Sequence, residues 1–281
     1  MRWPHYEHIF FDCDSTLTTV EGIDILADSA NKKQEIEALT NAAMDGHLDL
    51  EEVYGKRLQT IHPSRAQIQD IRRIYKKNIV EDAQMVIQIL QALGHTIYII
   101  SGGLAEPVEQ FGIYLGVPKE RIRAVQVDFD QLSGEWWKTQ STHPAEQYMA
   151  FEEGALTISN GKAKIVKELL GEKNGRSLLI GDGTSDLLAG TAVDLFVGFG
   201  GVVSREKVRH EAPAFIQTPS ISPLLLLAAG PAAVKRVQDP NHLALFKKAF
   251  DLTNQGAIQF KNEQLKQKFQ KAYQAVYSRT H

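Results

Sequence analysis

Short apolar runs that each end in a polar or glycine-rich turn constrain the fold of this chain most strongly. The runs lie at His8–Phe11, Thr96–Ile100, Ser177–Ile180, Asp194–Val197 and, more weakly, Ala214–Gln217. Helical patterns separate them, since Glu81–Leu93 precedes the second run and Ala163–Leu170 precedes the third. Buried parallel strands read as continuous apolar runs, and strands alternating with helices indicate a sheet covered on both faces. The sequence therefore predicts an α/β fold with a doubly wound, Rossmann-like parallel sheet.

The turns after three of these runs carry the polar residues best suited to chemistry. Asp12 and Asp14 follow the first run, Ser101-Gly102-Gly103 follows the second, and Asp182 and Asp186 follow the third. In open α/β sheets, ligands bind at the carboxyl ends of the strands. Two acids one residue apart at the end of an apolar run are costly unless a cation or a reaction uses them. We therefore expect an enzyme site at this edge of the sheet.

About eighty residues separate the first two strands, which is too many for one crossover helix. Helical composition recurs within this stretch at Ile23–Ala27, Lys33–Met44, Leu50–Leu58 and Ala66–Tyr75. We predict that residues 18–77 form a small helical cap, inserted after the first strand and lying over the site as a lid. Residues 1–17 and 78–218 would then form the catalytic core, and residues 219–281 a C-terminal helical extension.

Two further segments are longer than a compact α/β core requires. Phe129–Gly161 contains glycine, proline and two tryptophans with little periodicity, and it predicts a hairpin or long flap. In the tail, apolar residues recur at near-helical spacing at Phe260, Leu265, Phe269, Tyr273 and Val276. This stripe has two interpretations, a face packed on the core or the seam of a homodimer through the C-terminal helices.

Composition and charge exclude several classes of function. The net charge of −3 provides no basic field for nucleic acid. Cys13 is the single cysteine, which excludes an internal disulfide and a cysteine-rich zinc site, and we expect it to be a small core residue. The longest apolar run, Leu224–Ala229, falls far short of the roughly 20 residues that span a bilayer. The N-terminus also lacks the apolar core of a signal peptide. We therefore expect a soluble, cytoplasmic protein without nucleic-acid or membrane partners.

The polar residues at the strand ends suit phosphoryl transfer. Carboxylates such as Asp182 and Asp186 are the ligands that Mg²⁺ prefers, together with phosphate and water. Ser101 and the amides after it are neutral donors for phosphate oxygens. A lysine at the start of the Ala163 helix, either Lys162 or Lys164, supplies a positive charge. Positioning and charge stabilisation of this kind are the main contributions to phosphoryl-transfer catalysis.

A calcium loop is the simplest alternative for the Asp12–Thr16 segment. An EF-hand loop requires glycine at its sixth position and a bidentate glutamate at its twelfth. Leu17 and Ile23 occupy these positions, so the alternative fails.

The motifs DxDST, ISGG, NGKAK and GDGTSD, in this order, resemble the four motifs of the haloacid dehalogenase superfamily of phosphatases. The resemblance covers roughly residues 6–218. Within the superfamily the chain looks most like the phosphoserine phosphatases. The similar segments are Glu21-Gly22-Ile23-Asp24, Ala43-Met44-Asp45-Gly46 with Arg57, and Phe199-Gly200-Gly201.

The resemblance implies a role for each acid. Asp12 would attack phosphorus and form an aspartyl-phosphate, and Asp14 would protonate the leaving hydroxyl and later accept a proton from water. Asp182, one oxygen of Asp12 and the backbone carbonyl of Asp14 would hold Mg²⁺, with Asp186 supporting these ligands.

The resemblance also implies how a substrate is held. Ser101 and Gly102 would bind phosphate oxygens, and Lys162, with Lys164 as the fallback, would neutralise the nucleophile and the phosphate. In the cap, Glu21 would pair with a substrate ammonium and Arg57 with its carboxylate, unless the two simply form a surface ion pair. Met44 is a further candidate for substrate contact, although packing within the cap also explains it. Ser185 lies where the family often contacts the substrate.

We therefore expect a Mg²⁺-dependent phosphatase whose partner is a small phosphorylated metabolite, with O-phospho-L-serine as the leading candidate. Alternatives are a sugar, amino-alcohol or methylthio-pentenyl phosphate as substrate, or a phosphotransferase or mutase. A binding protein without catalysis is a third hypothesis. The intact acid pair of Asp12 and Asp14 argues against it, because binding alone does not need both acids.

Overall fold

A computed structural model describes residues 3–44, 47–48, 50–130 and 146–277 of the chain. Its strands are β1 (His8–Phe11), β2 (Thr96–Leu104), β3 (Ile122–Val125), β4 (Val127–Asp130), β5 (Gln147–Phe151), β6 (Ser177–Gly181), β7 (Leu195–Phe199), β8 (Ala214–Ile216) and β9 (Ile258–Phe260). Its helices are α1 (Gly22–Ser29), α2 (Lys33–Met44), α3 (Leu50–Ile61), α4 (Arg65–Lys77), α5 (Ala83–Ala92), α6 (Ala105–Tyr114), α7 (Lys162–Leu170), α8 (Thr184–Ala189), α9 (Glu206–Glu211), α10 (Leu224–Ala228), α11 (Pro240–Asn254) and α12 (Glu263–Tyr277). In these ranges, none of the helices combines the length and the apolar character needed to cross a bilayer.

The central sheet confirms the predicted fold class. Its strand order is β3-β2-β1-β6-β7-β8-β9, and the strands from β3 to β8 pair in parallel. The central strands β1, β6 and β7 are buried along their whole length, which explains their uninterrupted apolar sequences. Phe11 pairs with both Ile99 and Ile180, so the residues that follow these three strands reach the same edge of the sheet.

The helices α1–α4 follow β1 and form the predicted insert, and α5 leads from them back to β2. A capping box starts α4, because the Ser64 side chain accepts from the Gln67 backbone N–H while the Gln67 side chain accepts from the Ser64 backbone N–H. Helix α4 packs against α6 of the core, and α1 contacts β2. These helices therefore sit over the end of the sheet where the polar turns lie.

Strands β4 and β5 pair antiparallel and overlap the segment Phe129–Gly161 for which we predicted a hairpin or flap, although β4 begins two residues earlier. Residues 131–145, which include both tryptophans of that segment, lie outside the described residues. The hairpin contacts the start of α4, since the Tyr148 N–H donates to Pro63 O at 2.9 Å. The Arg65 guanidinium also spans from Glu146 of the hairpin segment to Glu106 of the core, each at 2.8 Å. The hairpin is thus joined to both the cap and the core.

The C-terminal extension is not wholly helical, in contrast to the prediction. Strand β9 pairs antiparallel with β8 and extends the sheet, so Phe260 belongs to a strand and the helical stripe begins at Leu265. Phe269 and Val276 of this stripe are buried within the chain itself. The Phe269 ring meets the Trp3 ring edge to face at 5.2 Å. The homodimer through these helices stays a prediction.

Candidate active site

Asp12 and Lys162 form the centre of a buried charged cluster. Asp12 follows β1 directly, and its backbone N–H donates to Ile180 O at 3.0 Å, which fixes it beside the end of β6. The Lys162 ammonium donates to Asp12 Oδ1 at 2.5 Å and to Asp186 Oδ1 at 2.7 Å. Burial lowers the pKa of Lys162, but Asp12 and Asp186 outweigh burial and hold that pKa above its ordinary value. Lys164 is exposed, so Lys162 is the lysine that reaches the acids.

A glycine allows Lys162 to reach this position. Gly161 precedes helix α7, and a Cβ on it would lie 1.6 Å from the backbone oxygen of Ala155. Only glycine permits so close an approach of two backbone segments. The glycine of the NGKAK motif therefore sets where the helix starts and where its first lysine points.

Asp182 is the second acid of the cluster that forms a buried ion pair. Arg205 Nε donates to Asp182 Oδ2 at 3.0 Å, and the guanidinium is almost completely buried. Glu21 Oε1 lies 3.9 Å from Arg205 Nη2, so the same arginine links the end of β6 to the entrance of the cap. Burial raises the pKa of Asp182 to about 7, although Arg205 opposes that rise. Sequence reasoning did not identify Arg205, because a single arginine beyond the fourth motif carries no periodic or motif signal.

The residues present fit a divalent cation. Asp12, Asp182 and Asp186 are buried, and each offers a carboxylate oxygen within 4.8 Å of the others. Hard oxygen ligands of this type suit Mg²⁺. Burial and, as the next largest cause, repulsion from Asp186 raise the pKa of Asp12 well above its ordinary value. Among the residues that the structure describes, five carboxyl groups of the site (Asp12, Asp14, Glu21, Asp182 and Asp186) face three cations (Lys162, Arg57 and Arg205).

Asp14 occupies a different environment from Asp12. The Tyr75 hydroxyl, from α4, donates to Asp14 Oδ1, and the Gly22 backbone N–H also donates to this carboxyl group. Burial, followed by repulsion from Glu21, raises the pKa of Asp14 to about 8. A carboxyl group with a raised pKa retains a proton near neutrality, which suits a general acid. The two acids of the first motif thus differ in chemistry because their surroundings differ.

The second motif forms an irregular strand end rather than a turn after the strand. Strand β2 continues through Ser101 to Leu104, with a register shift against β3 between Ile100 and Leu104. The Gly103 N–H donates to Ser101 Oγ at 2.9 Å. A Cβ on Gly103 would lie 3.0 Å from Ser101 Oγ and 3.1 Å from Asp14 Oδ2, so the backbone lies directly against the acid.

The cap contributes the opposite wall of the cavity. Arg57 is buried, its Nη1 donates to Thr40 Oγ1 at 3.1 Å, and its Nε has no partner among the described residues. The guanidinium lies 5.3 Å from the centre of the Tyr54 ring, and the Tyr54 hydroxyl donates to Gly102 O at 2.9 Å. Glu21 accepts from Ser15 Oγ at 2.7 Å. Glu21 and Arg57 therefore face the cavity, and they do not form the surface ion pair considered as an alternative.

Most of the predicted site residues line one cavity. These are Asp12, Asp14, Glu21, Arg57, Ser101, Gly102, Lys162 and Ser185. Asp182 and Asp186 lie beside it in the carboxylate cluster. Met44 ends α2, and its side chain lies outside the described residues. Tyr54 and Tyr75 were missed by sequence reasoning, because tyrosines in amphipathic helices are ordinarily packing residues.

Comparison with known proteins identifies the family. Residues 6–194 match the family described as haloacid dehalogenase-like hydrolases. The phosphoserine phosphatase of Homo sapiens is 31% identical over 210 residues, which are 74% of this chain and 88% of the human protein. The chloroplastic phosphoserine phosphatase of Arabidopsis thaliana is 30% identical over 214 residues, 75% of this chain and 68% of that protein.

Solved structures share the fold. A phosphoserine phosphohydrolase-like protein from Francisella tularensis superposes with a TM-score of 0.64 at 26% identity, covering 75% of this chain and 95% of that one. A substrate-bound phosphoserine phosphatase complex gives a TM-score of 0.65 at 20% identity, covering 83% of this chain and 99% of that one. With the family match and the human relative, the chain belongs to the haloacid dehalogenase-like hydrolases and is a phosphoric monoester hydrolase.

Proposed function

We propose that the protein hydrolyses O-phospho-L-serine to L-serine and phosphate, with Mg²⁺ and through an aspartyl-phosphate on Asp12. One observation carries the choice of substrate: Glu21 and Arg57 line the same cavity as Asp12, with opposite charges. An amino acid phosphate has an ammonium and a carboxylate at one end and a phosphate at the other. Its two charged ends match the cap wall and the core wall of this cavity.

The buried Nε of Arg57, which has no partner in the part of the chain that the structure describes, supports this assignment. A buried polar group without a partner costs about 1–3 kcal/mol, and a ligand that satisfies it recovers that cost. Burial also lowers the pKa of Arg57, and a carboxylate beside the guanidinium would restore its charge balance. A guanidinium binds a carboxylate through two parallel hydrogen bonds. The relatives named phosphoserine phosphatase, at 30–31% identity, support the same substrate.

In the first half of the proposed reaction, an Asp12 oxygen attacks phosphorus as the bond to the serine oxygen breaks. The departing oxygen takes the proton of Asp14 and leaves as a neutral hydroxyl group. Lys162 stays beside Asp12 and offsets the negative charge that gathers there. Ser101 Oγ and the amide of Gly102 are the proposed donors for the remaining phosphate oxygens.

In the second half, Asp14, now a carboxylate, accepts a proton from water as the water oxygen attacks phosphorus. The bond to Asp12 breaks, and phosphate is released with both acids restored. Division of a very slow hydrolysis into two transfers is the advantage of a covalent intermediate. The cap limits access of bulk water during the first half.

Asp12, Asp182 and Asp186, with the Asp14 backbone carbonyl, are the groups that would hold Mg²⁺. The ion would supply positive charge for the phosphate oxygens and balance the excess of buried carboxylates. The remaining expectations stay predictions: cytoplasmic location, the homodimer, and an alternative small phosphate ester or transferase activity.

Steady-state kinetics test the proposal. With Mg²⁺ present, kcat/KM for O-phospho-L-serine is expected to exceed that for phosphoethanolamine, which lacks the carboxylate, by at least 100-fold. Arg57→Ala removes most of this preference by raising KM for phosphoserine, whereas Lys56→Ala, on the exposed face of the same helix, does not. Equal kcat/KM values for the two esters in the wild type would overturn the substrate assignment and leave phosphatase activity in place.

A further inference from the structure

Tyr75 is a buried polar group for which the proposed reaction has no use. It lies near the C-terminal end of α4, has no exposed surface, and packs its ring edge to face against Phe111 at 5.4 Å. Its hydroxyl donates to Asp14 Oδ1. Tyr75 does not line the cavity, so it does not contact a substrate there.

The two carboxyl oxygens of Asp14 have different neighbours. Oδ1 accepts the hydrogen bond of the phenol. Oδ2 lies at the Ser101–Gly103 backbone, 3.1 Å from the place that a Cβ on Gly103 would take. A neutral carboxyl group carries its proton on one oxygen only, and an oxygen that accepts from a nearby O–H is the less favourable place for it.

We propose that Tyr75 is a positioning residue for Asp14: its hydroxyl occupies Oδ1, so that the transferable proton is carried by Oδ2, which faces the Ser101–Gly103 backbone. The inference rests on the proposed function, in which Asp14 is the general acid. When the ester P–O bond breaks, its electron pair takes the proton from Oδ2, and Asp14 becomes a carboxylate. In the second half, attacking water returns a proton to the same oxygen.

Two neighbouring features support this assignment. Burial, followed by the charge of Asp14, raises the pKa of Tyr75 well above its ordinary value, so the phenol keeps its proton and acts only as a donor. Gly22 makes room for the hydroxyl, since a Cβ there would lie 2.4 Å from the Tyr75 oxygen. The Gly22 N–H donates to Asp14 as well. The carboxyl group is therefore held from the cap side by two donors.

The test compares two substrates whose leaving groups differ in their need for a proton. The serine oxygen of O-phospho-L-serine needs a proton as it departs, whereas the nitrophenolate of p-nitrophenyl phosphate departs as a stable anion. A misplaced proton should therefore slow the first ester much more than the second. For Tyr75→Phe we expect kcat/KM to fall by roughly 10–100-fold with phosphoserine and by less than about threefold with p-nitrophenyl phosphate.

The matched control is Tyr98→Phe, which removes the hydroxyl of another buried tyrosine, beside His8 and away from the site. It should leave both kcat/KM values within about twofold of the wild type. A second variant, Gly22→Ala, displaces the phenol without altering it and should reproduce the selective loss. It also replaces the test if Tyr75→Phe does not fold.

The positioning role of Tyr75 and the proposed function are contradicted by different results. An equal loss for both esters in Tyr75→Phe or Gly22→Ala, or no loss for either, overturns the positioning role of Tyr75. A wild-type enzyme that releases no phosphate from phosphoserine instead contradicts the proposed function, before any variant is measured.

Discussion

At the scale of single residues, the excess of buried carboxylates has a consequence for stability. A ligand that binds only the folded state stabilises it, by about 2.7 kcal/mol at a concentration 100 times its dissociation constant. Mg²⁺ is therefore expected to raise the melting temperature by several degrees in differential scanning calorimetry. Asp182→Asn should abolish the shift, because Asp182 belongs to the carboxylate cluster.

The matched control for the magnesium effect is Asp251→Asn, which removes an exposed acid of α11. It should keep the full shift. A shift of equal size in Asp182→Asn and the wild type would show that Mg²⁺ binds elsewhere.

His95 predicts a pH dependence of stability that is independent of catalysis. Its Nδ1 lies 2.6 Å from Tyr6 O, and its Nε2 is buried without a partner among the described residues. Burial lowers the pKa of His95 from 6.5 to about 4. As the pH falls, His95 therefore takes up a proton in the unfolded chain before it does so in the folded chain. The contribution of His95 to the free energy of unfolding is complete above pH 6.5 and decreases as the pH falls from 6.5 to about 4.

From these two pKa values, His95 alone is expected to reduce the free energy of unfolding by about 2 kcal/mol between pH 7 and pH 5. Urea unfolding at both pH values measures the change. His95→Asn keeps a donor for Tyr6 O but does not titrate, so it should lose about 2 kcal/mol less than the wild type over this range. Identical losses in both proteins would show that other groups cause the pH dependence.

At the scale of elements, a hydrogen bond joins the cap to the Ser101–Gly103 segment of β2. The Tyr54 hydroxyl of α3 donates to Gly102 O at 2.9 Å, so this bond requires the cap to lie against the core, as it does here. A typical hydrogen bond contributes about 1 kcal/mol, which corresponds to about a fivefold change in an equilibrium. Tyr54→Phe should therefore raise KM for phosphoserine about fivefold and change kcat little.

Tyr273→Phe is the matched control for this bond. Its hydroxyl also donates to a backbone carbonyl, Phe250 O at 2.9 Å, but in the C-terminal extension. Unchanged KM in Tyr54→Phe, or the same increase in both variants, would contradict the closing role of Tyr54.

The elements also show which parts of the fold the sequence could predict. Strand β1 has the predicted bounds, β6 and β8 agree within one residue at each end, and β7 agrees within two, because each is an apolar run between polar turns. Strands β3 and β9 escaped prediction. Both are short, and β3 is only half buried along its length, so neither carries a strong apolar pattern. Their partners in the sheet decide their conformation.

At the scale of the whole molecule, parallel strands explain why the centre of the site was predictable from sequence. Their carboxyl ends meet at one edge, so motifs far apart in the chain must converge there. Lys162 reaches Asp12 across 150 positions of sequence for this reason. Tyr54, Tyr75 and Arg205 depend instead on how the cap and a later loop pack on the core. No short-range pattern encodes that packing.

The last prediction concerns how the C-terminal extension is joined to the core. Trp3 from the N-terminal segment donates to Leu227 O at 2.7 Å and meets Phe269 edge to face, while β9 continues the sheet beyond β8. Because of these contacts, we expect the extension to unfold together with the core as one cooperative unit. Phe269→Ala should therefore lower the free energy of unfolding by about 3–5 kcal/mol in a single transition, with kcat/KM for phosphoserine unchanged. Two separate transitions in calorimetry, with the second at the wild-type temperature, would show that the extension folds independently of the catalytic core.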